Sequence, residues 1–257
     1  MIPYKTFPTI DLGFFSIYTW GLFVAIGFLV GIFLALREAR KRKIDTKIIY
    51  DLSFYMILGG IIGGRIGYIL SHLNEFADFF EVFRVWHGGM SFFGGFVFAT
   101  LFSYIYTKRH KSNFWKYADI FAVPLVIGHA VARIGCYLTG QHLGSVTNLP
   151  WAIYYEGALR HPIPAYEFIA LLFIASILIY IKRFKLREGV LISSAVIMYS
   201  VIRFFLTFLR MDDPTFFGLT GSQYAALALI IIFGYFIYDK LFKNLIDKLF
   251  KNLIKGK

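Results

Sequence analysis

Charged residues in this chain are nearly confined to short segments between long apolar runs, and the sign of those segments alternates along the sequence. Apolar runs fall at about 14–36, 48–71, 88–107, 117–138, 165–181, 189–210 and 223–238. Each is near the ~20 residues a helix needs to cross a hydrocarbon core. The expected fold is an all-α polytopic membrane protein with seven transmembrane helices. Charged residues make up only 16% of the chain and hydrophobic ones 58%, whereas soluble domains carry about 25% charged residues.

The intervening segments set the orientation. REARKRKIDTK (37–47) holds six Lys or Arg, KRHKSNFWK (108–116) four, KRFKLRE (182–188) four, and the tail from 239 six. The alternate segments carry Glu75, Asp78 and Glu81, then Glu156 against Arg160, then Asp212 and Asp213. Basic segments stay in the cytoplasm, so the N-terminus is expected outside and the C-terminus in the cytoplasm. The formal charge of +12 then reflects topology and attraction to anionic lipid. No nucleic-acid module is visible, and no nucleic-acid partner is expected. Residues 1–238 are expected to form the membrane domain. Residues 239–257 carry the tandem octapeptide DKLFKNLI, a basic amphipathic tail suited to the cytoplasmic membrane surface.

Ionisable residues inside spans mark functional sites by default. Arg65, Arg133 and Arg203 fall in spans two, four and six, and Arg210 closes the sixth. All three spans run from cytoplasm outward, which puts each arginine in the outer half. A planar guanidinium fork suits a phosphate, so the cluster should hold an anionic phospholipid head. Pairing with Glu167, at the outer start of span five, is the structural alternative.

The stretch GHAVARIGCYLTGQHLG (128–144) adds His129 one turn before Arg133, Cys136 on roughly the same side, and Gln141 and His142 in a glycine-bounded turn. No P-loop, HExxH, GxSxG or convincing metal-ligand spacing occurs, so no metal or cofactor is expected. The single cysteine excludes an internal disulfide. MIPYKTFPTI lacks the basic start and adjoining apolar core of a cleavable signal.

These segments resemble a known family, the prolipoprotein diacylglyceryl transferases of bacterial inner membranes. GGRIGYIL (63–70), FRVWHGGMSFFGG (83–95), ARIGCYLTGQHLG (132–144), RHPIPAYE (160–167) and YSVIRFFLTFLR (199–210) occur in the family's order and roughly its spacing. The resemblance implies transfer of the sn-1,2-diacylglyceryl group of phosphatidylglycerol to the lipobox cysteine thiol of a preprolipoprotein. Glycerol phosphate is released, and the site faces the outer side of the cell membrane. It implies that Arg133 and Arg203 are essential and that Tyr199 belongs to the site. Gly144 closes the family signature. Arg65, Arg210, Cys136, Gln141 and the glycines Gly88, Gly89, Gly94 and Gly95 are candidates to line the substrate site. His129 and His142 are candidates for handling the thiol proton, as is His87.

The chain departs from the family pattern at the arginines' polar partners. Ala132, Cys136, Tyr137, Thr139 and Gln141 stand where the signature has Gly, Asn, Phe, Asn and Glu. Phe93 replaces a histidine, Trp20 a tyrosine and Thr207 an acidic residue. Two further readings therefore remain open. One is a relative that binds phospholipid without transferring it; the other is a lipid transferase with a different acceptor.

Overall fold

The computed structural model describes residues 4–73, 89–210 and 215–240. Helices dominate: α1 (Thr19–Lys41), α2 (Thr46–Ser71), α3 (Phe92–Arg109), α4 (Phe114–Thr139), α5 (Ile163–Ile181), α6 (Val190–Thr207) and α7 (Gly221–Tyr238). Six of these, all but α3, are long and apolar enough to cross a membrane. The chain is a multi-pass membrane protein. The readings at 74–88 and along the tail, including Gly88, His87, the acidic residues 75–81 and almost all of the tandem repeat, lie outside the described residues.

Among the described residues, three two-stranded antiparallel hairpins accompany the helices: β1 (Thr9–Asp11) with β2 (Ser16–Tyr18), β3 (Ile153–Tyr155) with β4 (Ala158–Arg160), and β5 (Thr215–Phe216) with β6 (Leu219–Thr220). They precede α1, link α4 to α5 and link α6 to α7, at the helix ends away from the basic segments. The first corrects the expected start of span one. Residues 14–18 are apolar enough for a helix, yet Ser16–Tyr18 pairs back onto Thr9–Asp11 around Gly13, whose φ is 88°. That backbone suits glycine and stops a helix there.

The chain packs as two compact units, Ala35–Tyr117 and Met1–Leu34 with Ala118–Lys257. In the first, α2 and α3 meet along small residues. A Cβ on Gly94 would lie 2.1 Å from the Gly63 carbonyl oxygen, and one on Gly59 would lie 2.7 Å from that of Phe98. Close backbone approach of this kind drives helix association in lipid.

In the second unit, α1 crosses α4 glycine on glycine: a Cβ on Gly27 would come within 2.5 Å of the Gly128 oxygen. Helices α4, α5 and α6 enclose an apolar core of Ala122, Val126, Leu171, Ile174, Leu178 and Leu191 among others. At its basic-segment end, Asp119 of α4 accepts the amide N–H of Gly189 at 2.8 Å and of Ile192 at 2.9 Å. A carboxylate there satisfies orphan donors and opposes the helix dipole of α6. Gln223 of α7 donates to the Phe204 carbonyl of α6 at 3.3 Å, while Thr220 and Gln223 form a capping box that starts α7.

Candidate active site

Helices α4 and α6 run in the same direction from the Asp119 cap. Arg133 lies 14 residues after Asp119, and Arg203 lies 14 residues after Gly189. At 1.5 Å per residue both stand about 21 Å above the cap, near the far end of a ~30 Å hydrocarbon core. The antiparallel α5 descends between them. Its stripe Glu167, Leu171, Ile174, Ala175, Leu178 follows helical periodicity and is almost wholly buried. The apolar part of that stripe fills the core, which brings its first member level with the two arginines.

Glu167, 1% exposed, bridges both. Its Oε1 accepts a hydrogen bond from Arg203 Nη1 at 2.6 Å. Its Oε2 lies 2.6 Å from Arg133 Nε as an ion pair whose N–H is not aimed along the contact. The charged partner expected as an alternative to a headgroup is therefore present. A guanidinium offers five N–H donors, so one carboxylate occupies only part of each arginine.

The surroundings bring other expected residues together. Tyr199 lies within electrostatic reach of Arg133, and its ring meets that of His129 edge-on at 5.0 Å. Cys136, 3% exposed, receives a weak Arg133 Nη1 contact at 3.7 Å. Thr207, in the family's acidic position, turns its hydroxyl onto the Arg203 carbonyl at 2.7 Å. The Trp20 backbone packs where a Cβ on Gly135 would fall, 3.3 Å away.

Past α4 the chain turns sharply. Gly140 and His142 have φ values of 72° and 60°. Gln141 is exposed, and its amide N–H donates to the Cys136 carbonyl at 3.1 Å. The Leu138 carbonyl accepts the Phe7 amide at 2.8 Å, and the Tyr137 carbonyl accepts the Tyr4 hydroxyl. Residues from the start of the chain thus satisfy carbonyls that the helix end leaves open.

Gly144 then bridges to Arg210, and its N–H donates to His161 at 2.8 Å. A Cβ there would sit 2.6 Å from the Leu209 oxygen and 2.7 Å from the His161 Cβ. Gly144 is required by this close approach of three segments. Arg210 Nη2 lies 3.4 Å from His142 Nδ1, which fits a neutral imidazole accepting there. Desolvation of the ring, then the charges of Arg210 and Arg133, pull His142 down to about 4 from 6.5.

The remaining expected residues belong to the other unit. Arg65 is buried and donates to the Gly89 carbonyl at 3.2 Å. Gly89 has a φ of 77° and packs against the Tyr68 ring. Gly94 and Gly95 lie in the α2–α3 contact, and Phe93 stacks edge-on against Phe92.

The sequence reading did not single out a cleft of about 550 Å³ lined by Tyr137, Trp151, His161, Tyr166, Ile169 and Leu209 among others. Trp151 Nε1 donates to the Tyr166 hydroxyl at 2.7 Å, and His161 Nδ1 lies 3.2 Å from the same oxygen. Burial lowers the affinity of His161 for a proton. The motif RHPIPAYE held the signal, because it supplies both His161 and Tyr166 immediately before Glu167.

Fold and geometry together define a multi-pass membrane protein in which a buried glutamate on one helix bridges half-buried arginines on two others. The family model described as prolipoprotein diacylglyceryl transferase matches residues 8–238, and the chain belongs to that family. It is 38% identical over 255 residues to a phosphatidylglycerol–prolipoprotein diacylglyceryl transferase of Coxiella burnetii, covering 90% of this chain and 96% of that protein. Proteins of the same name from Chromohalobacter salexigens and Listeria innocua are 35% and 33% identical. Those matches cover 81% and 91% of this chain, and 82% and 90% of the respective relatives.

Proposed function

We propose that the chain transfers the diacylglyceryl group of phosphatidylglycerol to the lipobox cysteine of a preprolipoprotein at the outer side of the bacterial cytoplasmic membrane. The observation that carries this reading is the pair Arg133 and Arg203, held level on α4 and α6 by Glu167. The names of the relatives supply the donor and the class of acceptor. The basic segments support a topology with the N-terminus outside, the C-terminus in the cytoplasm and α3 as a seventh crossing. In that orientation the arginines reach the outer leaflet's headgroups.

The chemistry follows from the residues. The guanidinium N–H groups not used by Glu167 receive the phosphodiester oxygens of the donor lipid. The acceptor thiolate attacks the glyceryl carbon esterified to phosphate. A carbon–sulfur bond forms, the carbon–oxygen bond to phosphate breaks, and the electron pair leaves with glycerol phosphate. Charge grows on the departing phosphate, where Arg133 and Arg203 stabilise it. The thiol must first lose its proton, because the thiolate is the nucleophile. His129, whose ring meets that of Tyr199, and His142 are the candidates for that proton. His142 has its Nδ1 turned toward Arg210.

Reconstitution with phosphatidylglycerol and a lipobox peptide tests the reading. The peptide is expected to gain the mass of one diacylglyceryl group. Failure under conditions where the Coxiella relative succeeds would overturn it. Phosphatidylglycerol binding without any gain in peptide mass would favour the non-transferring relative, for which the neutral Gln141 and Phe93 speak.

A further inference from the structure

We propose that Glu167 is a positioning residue that fixes both guanidinium groups and sets the net charge of the anion site. The inference rests on the transferase reading and assigns a task to a residue that the reaction does not itself consume. Both carboxylate oxygens are engaged by arginines at 2.6 Å, so Glu167 is arranged to hold them rather than to take up the thiol proton. It cannot readily swing away. It begins a stripe in which Leu171, Ile174 and Leu178 are at most 1% exposed, and its helix starts at Pro162 and Ile163 against the signature turn.

The charge argument is simple. Two guanidinium groups alone carry two positive charges; with Glu167 the cluster carries one. The donor lipid presents a phosphodiester with one negative charge, so ground-state charge is balanced. The departing phosphate monoester acquires more negative charge, which is met by the guanidinium N–H groups still available. A site with charge of two would instead grip substrate and product alike. Uniform binding of that kind lowers KM without raising kcat, and it slows product release.

The test compares wild-type protein with Glu167→Gln, Glu167→Asp and the double variant Glu167→Gln/Arg203→Gln, all as full chains in phospholipid nanodiscs. Glu167→Gln is expected to lower the KM for phosphatidylglycerol and to strengthen inhibition by added glycerol phosphate about tenfold, a change of roughly 1.4 kcal/mol, while kcat falls. Glu167→Asp keeps the charge but shortens the reach, so it should lower kcat with little change in glycerol phosphate inhibition. The double variant restores the net charge and should return product inhibition toward the wild-type level.

Unchanged KM, kcat and product inhibition in folded Glu167→Gln would overturn the proposal. So would an identical loss in Glu167→Gln and Glu167→Asp, which marks a merely structural residue. If Glu167→Gln does not fold, Glu167→Asp decides: strengthened glycerol phosphate inhibition in that variant overturns the charge role, and a fall in kcat alone supports it. If the wild-type chain transfers nothing, the transferase reading fails separately. Calorimetric binding of short-chain phosphatidylglycerol and of free glycerol phosphate then carries the test. Tighter binding of both by Glu167→Gln supports the charge role, and equal binding overturns it.

Discussion

Asp119 caps the helix that begins at Gly189, and this one contact sets the relative height of α4 and α6. The carboxylate takes the Gly189 and Ile192 amides at 2.8 and 2.9 Å, and each helix then counts the same 14 residues to its arginine. A register error of one residue would shift one guanidinium by about 1.5 Å along the axis and rotate it by about 100°. The Arg133–Glu167–Arg203 cluster is therefore anchored from the opposite end of the helices that carry its arginines.

Replacing Asp119 with Ala is expected to destabilise the protein by about 1–2 kcal/mol, the usual cost of a lost N-cap. Activity per folded molecule should fall as well, because the two arginines lose their common reference. Thermal unfolding in detergent, together with the peptide-lipidation rate, checks both. An unchanged melting temperature would show that the cap does not set the register.

Arg133→Ala and Arg203→Ala should each lower kcat/KM at least about 100-fold, the scale of losing one preorganised charge donor. Lysine at either position should recover little. Its ammonium lacks the planar fork that serves Glu167 and a phosphate oxygen together. The lipobox-peptide mass assay measures this, and near-full activity of Arg203→Lys would remove that arginine from the site.

Gly144→Ala would push a methyl group against the Leu209 carbonyl and the His161 Cβ, both under 3 Å away. Overpacking of this kind costs about 1–3 kcal/mol. The bridge between Gly144 and Arg210 should open first, visible as faster amide exchange at Ser145, whose N–H donates to Leu209 at 2.8 Å.

His142 gives a pH signature with a definite sign. Its imidazole is lowered to about 4 in the folded protein, against ~6.5 unfolded. The unfolded chain binds the proton first, so the stabilisation is complete above pH 6.5 and is lost as pH falls toward 4. Part of the residue still reaches water, which screens its neighbours' charges, so the effect is small. The wild-type melting temperature should drop more than that of His142→Asn across this window, and the two should run parallel above it.

Much of this was legible in the sequence because lipid allows few solutions. Backbone groups in a bilayer must be satisfied internally, so apolar runs of this length could only become helices. The boundaries of α2, α5 and α7 fall within two residues of the expected runs. Residues 14–18 misled because Phe14, Phe15 and Tyr18 are apolar, while the turn at Gly13 depends on one glycine's backbone. At the site, sequence supplied the depth of Arg133, Arg203 and Glu167 but not their facing directions. Depth follows from counting residues along a helix, and facing follows from how three helices pack. His161 and Tyr166 escaped notice because a lone histidine before a proline carries no spacing pattern.

The contact of Tyr4 and Phe7 with the carbonyls of Tyr137 and Leu138 also orders events during synthesis. These N-terminal residues leave the ribosome long before α4 does. They must wait through more than a hundred further residues before the carbonyls they cover exist. The signature turn is thus completed by a segment synthesised well before the helix whose open end it covers.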